Sequence, residues 1–172
     1  MVKIYIIGSV GSGKTTLARQ LSKVLTIPHF ETDNFVWSRQ GDGDMRNAES
    51  VRDEQLLTAV RQINWIVEGV HTGWTERAMH AADVVVFLDM PYAVRTYRFV
   101  FRYLKQKARV ERSNYKPSLS MLVKMFNWNR YFEETIKPAF LLQCETLPNQ
   151  FIVIKNRQEI DRLINDLLTT EQ

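Results

Sequence analysis

The sequence has a single cysteine, Cys144, among its 172 residues, so no disulfide can form within the chain. One thiol also excludes a cysteine-based metal cluster and is typical of proteins from a reducing compartment. Apolar runs are short, and none approaches the roughly 20 residues that a membrane helix needs. The apolar stretch at 2–7 is too short for a secretory signal and leads directly into a glycine-bearing turn. These absences predict a soluble, cytoplasmic protein.

Glycine and proline are also scarce, with seven and five residues, and there is no repeat, low-complexity tract or linker-like segment. We therefore expect a single domain over residues 1–172, which is long enough for a substantial core. Apolar runs alternate with segments of helical periodicity, which predicts an α/β protein with a mostly parallel sheet and helices on both faces. The predicted strands are 3–7, 27–31, 65–68, 84–88 and 151–154. The predicted helices are 15–25, 50–62, 92–107, 118–140 and 158–168. The polar segment 37–46 is expected to be a mobile loop.

Charge is unevenly distributed along the chain. The formal net charge is +4, but segment 95–116 has eight basic residues against one acid and so carries +7, which leaves −3 for the rest. A local cationic segment favours a polyanionic ligand, either nucleotide phosphates or a nucleic acid. A solvated basic helix face is the alternative that composition leaves open.

A glycine-bearing loop joins the first predicted strand to the first predicted helix. Its sequence, G-S-V-G-S-G-K-T over 8–15, satisfies the pattern G-x-x-x-x-G-K-[ST] in the required strand–loop–helix context. Backbone N–H groups of such a loop point at phosphate oxygens, and the following helix adds its positive N-terminal end. Lys14 is expected to contact the β- and γ-phosphates, and the Thr15 hydroxyl to bind Mg2+. The residues predicted to bind ATP here are Gly8, Ser9, Gly11, Ser12, Gly13, Lys14, Thr15 and Thr16.

Further short motifs follow along nearly the whole chain. They are H-F-E-T-D at 29–33, W-I-V-E-G at 65–69, A-D-V-V-V-F-L-D-M-P at 82–91 and R-x-x-x-R at 98–102. In order and approximate spacing, the set resembles the adenylate-kinase-like P-loop kinases, and among them the bacterial DNA topology-modulation proteins related to FlaR. The P-loop alone is common to many proteins, whereas the combination is much more specific. The resemblance implies a three-layer P-loop NTPase fold with a short basic lid, ATP and Mg2+ as ligands, and phosphoryl transfer.

The resemblance gives roles to two acids at predicted strand ends. Asp33 stands where these kinases place an acid that faces the phosphoryl acceptor or holds magnesium through water, and its carboxylate can accept a hydrogen bond from an acceptor hydroxyl. A turn or helix-capping aspartate is the alternative. Glu68 replaces the family's usual aspartate, so we expect it to hold Mg2+ through water at one methylene greater reach. Gly69 would let a ligand approach the backbone, and His71 is expected to be an ordinary surface residue, with a contact to the acceptor as the alternative.

Arginines beyond the last motif complete the predicted site. Arg98 and Arg102 share a helix face at i and i+4, and the resemblance implies that Arg98 stacks on adenine while Arg102 reaches the phosphates. A solvated pair is the alternative. The segment 105–117 would form the short lid, with Arg109 and Arg112 closing over the transferring phosphoryl group. The predicted catalytic residues are therefore Lys14, Asp33, Arg102, Arg109 and Arg112.

Near the middle of the predicted helix 118–140 lies a group of aromatic residues: Phe126, Trp128, Tyr131 and Phe132. At helical spacing these are expected to be core residues, with a wall of the acceptor pocket as the alternative.

Three functions are compatible with these features. A phosphotransferase acting on a nucleoside, a nucleotide or a related hydroxyl compound uses all the predicted site residues, and we expect this function. A nucleotide-dependent regulator of DNA topology would use the cationic segment, although the sequence contains no recognisable DNA-binding motif. A simple ATPase would need a water-positioning residue, which the sequence does not identify. The expected partners are ATP and a small acceptor, with DNA as the less favoured partner and no membrane.

Overall fold

In the computed structural model, a five-stranded parallel sheet forms the centre of the chain. The structure describes residues 1–40, 43–108, 110, 118–145, 147 and 150–169. The strands are β1 (Lys3–Gly8), β2 (His29–Glu31), β3 (Trp37–Gln40), β4 (Gly43–Arg46), β5 (Trp65–Gly69), β6 (Val84–Leu88) and β7 (Gln150–Ile154). The helices are α1 (Lys14–Leu25), α2 (Thr32–Val36), α3 (Glu49–Val60), α4 (Glu76–Ala81), α5 (Tyr92–Lys107), α6 (Leu119–Tyr131), α7 (Lys137–Cys144) and α8 (Arg157–Thr169). A π-helical segment, Phe132–Ile136, joins α6 to α7.

The sheet has the strand order β2-β5-β1-β6-β7, and every neighbouring pair is parallel. The strand β1 is central, with Ile6 opposite Glu68 on one side and Val86 on the other. Strand order reverses direction at β1, and ligands of open α/β sheets bind at the carboxyl edge beside such a reversal. The order confirms the predicted α/β fold and places the loop after β1 at that edge.

Two apolar layers cover the sheet because successive side chains of a strand point to opposite faces. In β1, Ile4 and Ile6 pack with α1 and α8, whereas Tyr5 and Ile7 pack with α2, α3, α4 and α7. Burying both faces requires the continuous apolar sequences of β1, β5 and β6. Helices on both faces complete the predicted three layers. Among the described residues, no helix combines the length and apolar content needed to cross a bilayer.

Residues 37–40 and 43–46 form an antiparallel strand pair, the β3–β4 hairpin, so the loop expected for these residues is wrong. Trp37 pairs with Arg46 and Ser38 with Met45. The hairpin lies outside the main sheet, so its residues lack the apolar alternation that marks a half-buried strand. Backbone pairing alone defines these two strands.

The single helix expected over 118–140 is interrupted. The structure has α6, the π-helical segment and then α7, with Pro138 in the first turn of α7. Proline has no N–H and its ring clashes with the carbonyl four residues earlier, which is Glu134. One wider turn accommodates this local mismatch while the chain keeps its direction.

The aromatic group on these helices divides between core and surface. Phe132 is buried, but Phe126, Trp128 and Tyr131 are exposed, at 38%, 52% and 55%. Their expected place in the core is therefore wrong, because the buried face of α6 passes through Met125 and Asn129 instead.

Candidate functional site

The phosphate loop has a backbone that only glycine adopts readily at two positions. Gly11 and Gly13 have φ angles of +74° and +98°, in the left-handed region that disfavours side chains. The Ser12 N–H donates to the Ser9 carbonyl at 3.2 Å. Helix α1 begins at Lys14, immediately after Gly13, so the unpaired N–H groups of its first turn adjoin the loop. This geometry suits a phosphate chain.

Around the loop, the other predicted contacts have different environments. Gly8 is the last residue of β1, and Ser9 and Ser12 are buried. Thr16 is exposed at the third position of α1. Contact of these residues with ATP stays a prediction.

A buried carboxylate lies directly behind the loop. Thr15 Oγ1 donates to Glu68 Oε1 at 2.5 Å, and Lys14 Nζ lies 3.9 Å from Glu68 Oε2. Glu68 is only 2% exposed. Its burial raises the pKa of the Glu68 carboxyl, while Lys14 and the Thr15 hydrogen bond act in the opposite direction. An ionised acid in this position is costly for folding, so its presence points to a ligand-binding role.

Two further side chains from β2 face Glu68. Glu31 lies opposite Glu68 in the β2–β5 register and pairs with Arg19 at 2.8 Å. His29 Nε2 lies 4.0 Å from Glu68 Oε1 and is buried without a hydrogen-bond partner in the described part of the chain. Burial lowers the pKa of His29, opposed by the charge of Glu31. Sequence reasoning gave neither residue a role, although their i, i+2 spacing in a strand places them on one face.

The carboxylate, hydroxyl and imidazole groups fit a divalent cation. Glu31, Glu68 and Thr15 offer oxygen ligands, which Mg2+ prefers. The buried Nε2 of His29 is a further potential metal ligand, and it has no hydrogen-bond partner among the residues described. Glu68 and Thr15 are the two predicted metal-binding residues, and the structure brings them into contact.

Asp33 lies in a different element from the one expected. The strand β2 ends at Glu31, so Asp33 is the second residue of α2 and does not end a strand. The strand β2 pairs with β5 over only three residues, and the chain continues directly into α2. His71 Nε2 lies 3.2 Å from Asp33 Oδ1, so His71 has a partner that the sequence, 38 positions apart, does not reveal.

An aromatic and cationic group extends from His71. The His71 and Trp74 rings have centroids 5.4 Å apart, and the Arg52 guanidinium lies 4.6 Å from the centre of the Trp74 ring. Arg52 also pairs with Asp53 at 2.8 Å. His71 therefore connects this group to Asp33.

The predicted arginines differ in what they contact. Arg98 Nη1 donates to the Ser12 carbonyl at 2.9 Å and lies 3.4 Å from the Gly11 carbonyl, so its guanidinium supports the phosphate loop; stacking on adenine stays a prediction. Arg102 lies one turn later, and its buried Nε has no hydrogen-bond partner within the described ranges. Its contact with phosphates likewise stays a prediction. Arg109 and Arg112 lie outside the described residues, as does most of the predicted lid.

Helix α5 also touches the phosphate loop through its backbone. A side-chain Cβ at Gly11 would lie 2.6 Å from the Arg95 carbonyl oxygen. The Arg95 guanidinium is buried and pairs with Glu133, so this part of the +7 segment does not contribute to a cationic surface. Lys137 pairs with the same Glu133 at 3.0 Å and with Asp89 at 2.7 Å.

A buried asparagine connects α6 to the phosphate loop. Asn129 is 0% exposed; its Oδ1 accepts from Ser9 Oγ at 3.1 Å, and its Nδ2 donates to Thr96 Oγ1 at 3.1 Å. The sequence separation of 120 residues gives no local signal for this contact. Loop, α5 and α6 therefore meet at one side chain.

Comparison with known proteins agrees with this arrangement. The family model described as an AAA domain matches residues 4–115. The uncharacterized protein YqaC of Bacillus subtilis is 36% identical over 101 residues, which cover 58% of this chain and 55% of YqaC. A shikimate kinase of Wigglesworthia glossinidia brevipalpis is 26% identical over 98 residues, 50% of this chain and 57% of that enzyme. The chain thus spans little more than half the length of these two relatives.

Solved structures extend the similarity to nearly the whole fold. Shikimate kinase from Acinetobacter baumannii, in complex with shikimate, superposes with a TM-score of 0.60 at 17% identity, covering 99% of this chain and 92% of that one. At that identity the likeness shows the fold alone. The DNA topology-modulation resemblance is not addressed by these proteins and stays a prediction. The chain belongs to the AAA domain family, and it is similar in sequence and fold to proteins named shikimate kinases.

Proposed function

We propose that this protein is an ATP-dependent phosphotransferase that moves the γ-phosphoryl group of ATP to a hydroxyl group of a small acceptor. The observation that carries the proposal is the buried Glu68 carboxylate in contact with both Lys14 and Thr15 of the phosphate loop. Desolvated acids beside a P-loop lysine and threonine are expected in a site that binds a metal–nucleotide complex. We also propose that residues 1–172 act as one unit.

In the proposed reaction, each of several groups at the carboxyl edge of the sheet has a separate role. Lys14 offsets negative charge on the transferring phosphoryl group. Asp33 accepts a hydrogen bond from the acceptor hydroxyl and takes its proton as the oxygen attacks phosphorus. The bond from phosphorus to the β–γ bridging oxygen breaks, ADP leaves with those electrons, and the proton passes from Asp33 to solvent. His71, hydrogen-bonded to Asp33, holds that carboxylate in place. Arg102, Arg109 and Arg112 are proposed to add positive charge as the site closes.

Thr15, and Glu68 through water, would hold the Mg2+ of the metal–nucleotide complex, as the P-loop kinase relationship implies. The ion neutralises phosphate charge when it is bound. The proposed roles of Asp33 and Lys14 do not require a particular position of the Mg2+ ion.

The acceptor is proposed to be a small hydroxylated compound, for which two observations give a starting set. Similar proteins are named shikimate kinases, which makes shikimate and other polyhydroxylated carboxylic acids one class to test. The Arg52–Trp74–His71 group offers a flat ring and a cation, which would also suit a nucleoside or nucleotide. The closer relation to DNA topology-modulation proteins belongs to this proposal as well, without a defined substrate.

Calorimetry with ATP, followed by a coupled assay for ADP release, tests the proposal. Lys14→Ala should weaken ATP binding at least about tenfold, because a charge-assisted contact contributes about 1.5–3 kcal/mol. Lys23→Ala, an exposed lysine on the same helix, is the matched control and should bind like the wild type. Unchanged affinity in Lys14→Ala would refute the role of the loop. ATP binding without ADP release above background for any acid, nucleoside or monophosphate would refute the kinase activity.

Binding to duplex DNA is the result expected if the protein is instead a nucleotide-dependent regulator. Salt-dependent binding of labelled DNA in fluorescence polarisation, with no acceptor-dependent ADP release, would favour the regulatory alternative. The burial of Arg95 and the engagement of Arg98 with loop carbonyls weaken that alternative.

A further inference from the structure

Three potential metal ligands converge beneath the first turn of α1. One ligand atom each from His29, Glu31 and Glu68 lies within 4.8 Å of the other two. Small movements of these side chains would bring all three to a shared cation, since metal bonds to histidine nitrogen and carboxylate oxygen are about 2.0–2.2 Å long. His29 and Glu31 are on β2, and Glu68 is on β5. Ligands on paired strands are held more firmly than ligands on loops.

The histidine is the unusual member of this group. Its Nε2 is buried and makes no hydrogen bond among the residues that the structure describes. A buried polar atom without a partner costs free energy, and a bound cation would remove that cost. The neighbouring groups are Arg19, which pairs with Glu31, and Lys14 and Thr15, which contact Glu68. Neither the phosphate loop nor Arg19 contacts Nε2 in any described interaction.

We propose that His29, Glu31 and Glu68 bind a divalent first-row transition-metal ion, of the class of Mn2+, Co2+ and Zn2+, in preference to Mg2+. Imidazole nitrogen favours these ions, whereas Mg2+ demands a near-octahedral shell of oxygen ligands and keeps most of its waters. The inference rests on the proposed function in one respect. Glu68 also contacts Thr15 of the phosphate loop, so the bound metal ion would serve the phosphoryl-transfer site. The inference goes beyond that function in naming a nitrogen ligand and the metal class that this ligand selects.

Metal titration of the nucleotide-free protein tests the selectivity. Calorimetry should give an affinity for Co2+ at least about tenfold higher than for Mg2+, and bound Co2+ should show visible absorption bands of a nitrogen-containing site. In His29→Leu, the Co2+ affinity should fall at least about 10–100-fold, because His29 is a direct ligand and the loss of even an outer-shell partner typically costs that much, while Mg2+ affinity changes much less. His80→Leu, an exposed histidine on α4, should behave like the wild type. Arg19→Gln should tighten both metals, because it releases the Glu31 carboxylate.

Equal affinity of the wild type for Co2+ and Mg2+, or unchanged Co2+ affinity in His29→Leu, would overturn the inference. Circular dichroism checks folding of the variants, and His29→Gln replaces His29→Leu if leucine does not fold. No nucleotide or acceptor enters this measurement, so its result is independent of the kinase assay. A kinase that is active with Mg2+ but shows no Co2+ preference would lose this inference alone. A Co2+-selective protein without ADP release would lose the proposed function alone.

Discussion

Replacing Gly69 by alanine should force apart the end of β5 and the start of α2. A Cβ at this position would lie 1.8 Å from Thr32 Oγ1, 3.0 Å from Thr32 Cβ and 3.1 Å from Thr32 Cγ2. Thr32 is completely buried, so its side chain has no open space to enter. Rotation about the Thr32 Cα–Cβ bond does not remove the conflict, because Cβ itself stays too close. The close approach expected between Gly69 and a ligand is therefore one between Gly69 and Thr32.

The size of the effect follows from which atoms overlap. Overpacking a well-packed core costs about 1–3 kcal/mol, and sometimes more; an overlap at 1.8 Å predicts a loss of about 3 kcal/mol. For a chain of this length that loss corresponds to a fall in Tm of about 6–12 °C. Thr32→Ala removes the atoms at 1.8 and 3.1 Å. Alone it should cost only about 1 kcal/mol, for one buried methyl group, because Thr32 Oγ1 has no hydrogen-bond partner within the part of the chain described.

Urea unfolding of the wild type, the two single variants and Gly69→Ala/Thr32→Ala measures the coupling. We expect the double variant to be about 2 kcal/mol more stable than the sum of the single effects. Additive effects, or a Gly69→Ala protein as stable as the wild type, would refute the steric argument. Asp33 follows Thr32 directly, so Gly69→Ala should also lower activity, and Thr32→Ala should restore part of it.

Two other perturbations test the surroundings of the phosphate loop. The raised pKa of Glu68 means that this group stabilises the fold below the ordinary carboxyl pKa and that the contribution is lost as pH rises through the folded-state pKa. Glu68→Gln should therefore have a higher Tm than the wild type at neutral pH, with the difference shrinking toward acidic pH in fluorimetry; a pH-independent difference would contradict the burial argument. Asn129→Ala should cost about 1–3 kcal/mol in urea unfolding, because it leaves the buried Ser9 hydroxyl without its acceptor, and it should weaken ATP binding. Asn127→Ala, exposed on the same helix, is the control, and equal effects of the two variants would contradict the role of Asn129.

The main sheet could be predicted from sequence because its signals are local. Continuous apolar runs bounded by polar turns mark β1, β5 and β6, and the P-loop pattern fixes where α1 begins. The β3–β4 hairpin was not predicted because its strands do not bury an apolar face, so they lack the alternation of apolar and polar residues. The interruption before α7 depends on Pro138. A proline can either kink a helix or widen one turn, and the spacing of apolar residues does not show which of the two occurs.

The candidate site was predictable only in part, for a related reason. Thr15 and Glu68 each follow a recognisable motif, and their contact confirms that the two motifs meet at one sheet edge. The partners of His71 and Ser9 lie 38 and 120 residues away, so only the folded chain shows them. The exposure of Trp128 depends on how α6 rotates against α5, which spacing within one helix does not determine.

The backbone contact between Gly11 and Arg95 has a consequence for the energetics of nucleotide capture. Gly11 lies so close to Arg95 that a Cβ would meet the carbonyl oxygen at 2.6 Å, so the conformational entropy of the loop is lost when the chain folds, before any nucleotide binds. Association should then be fast and show little entropic penalty from the loop itself. A substitution that weakens the packing of α5 against the loop should make the entropy of nucleotide binding more unfavourable while leaving the binding enthalpy nearly unchanged.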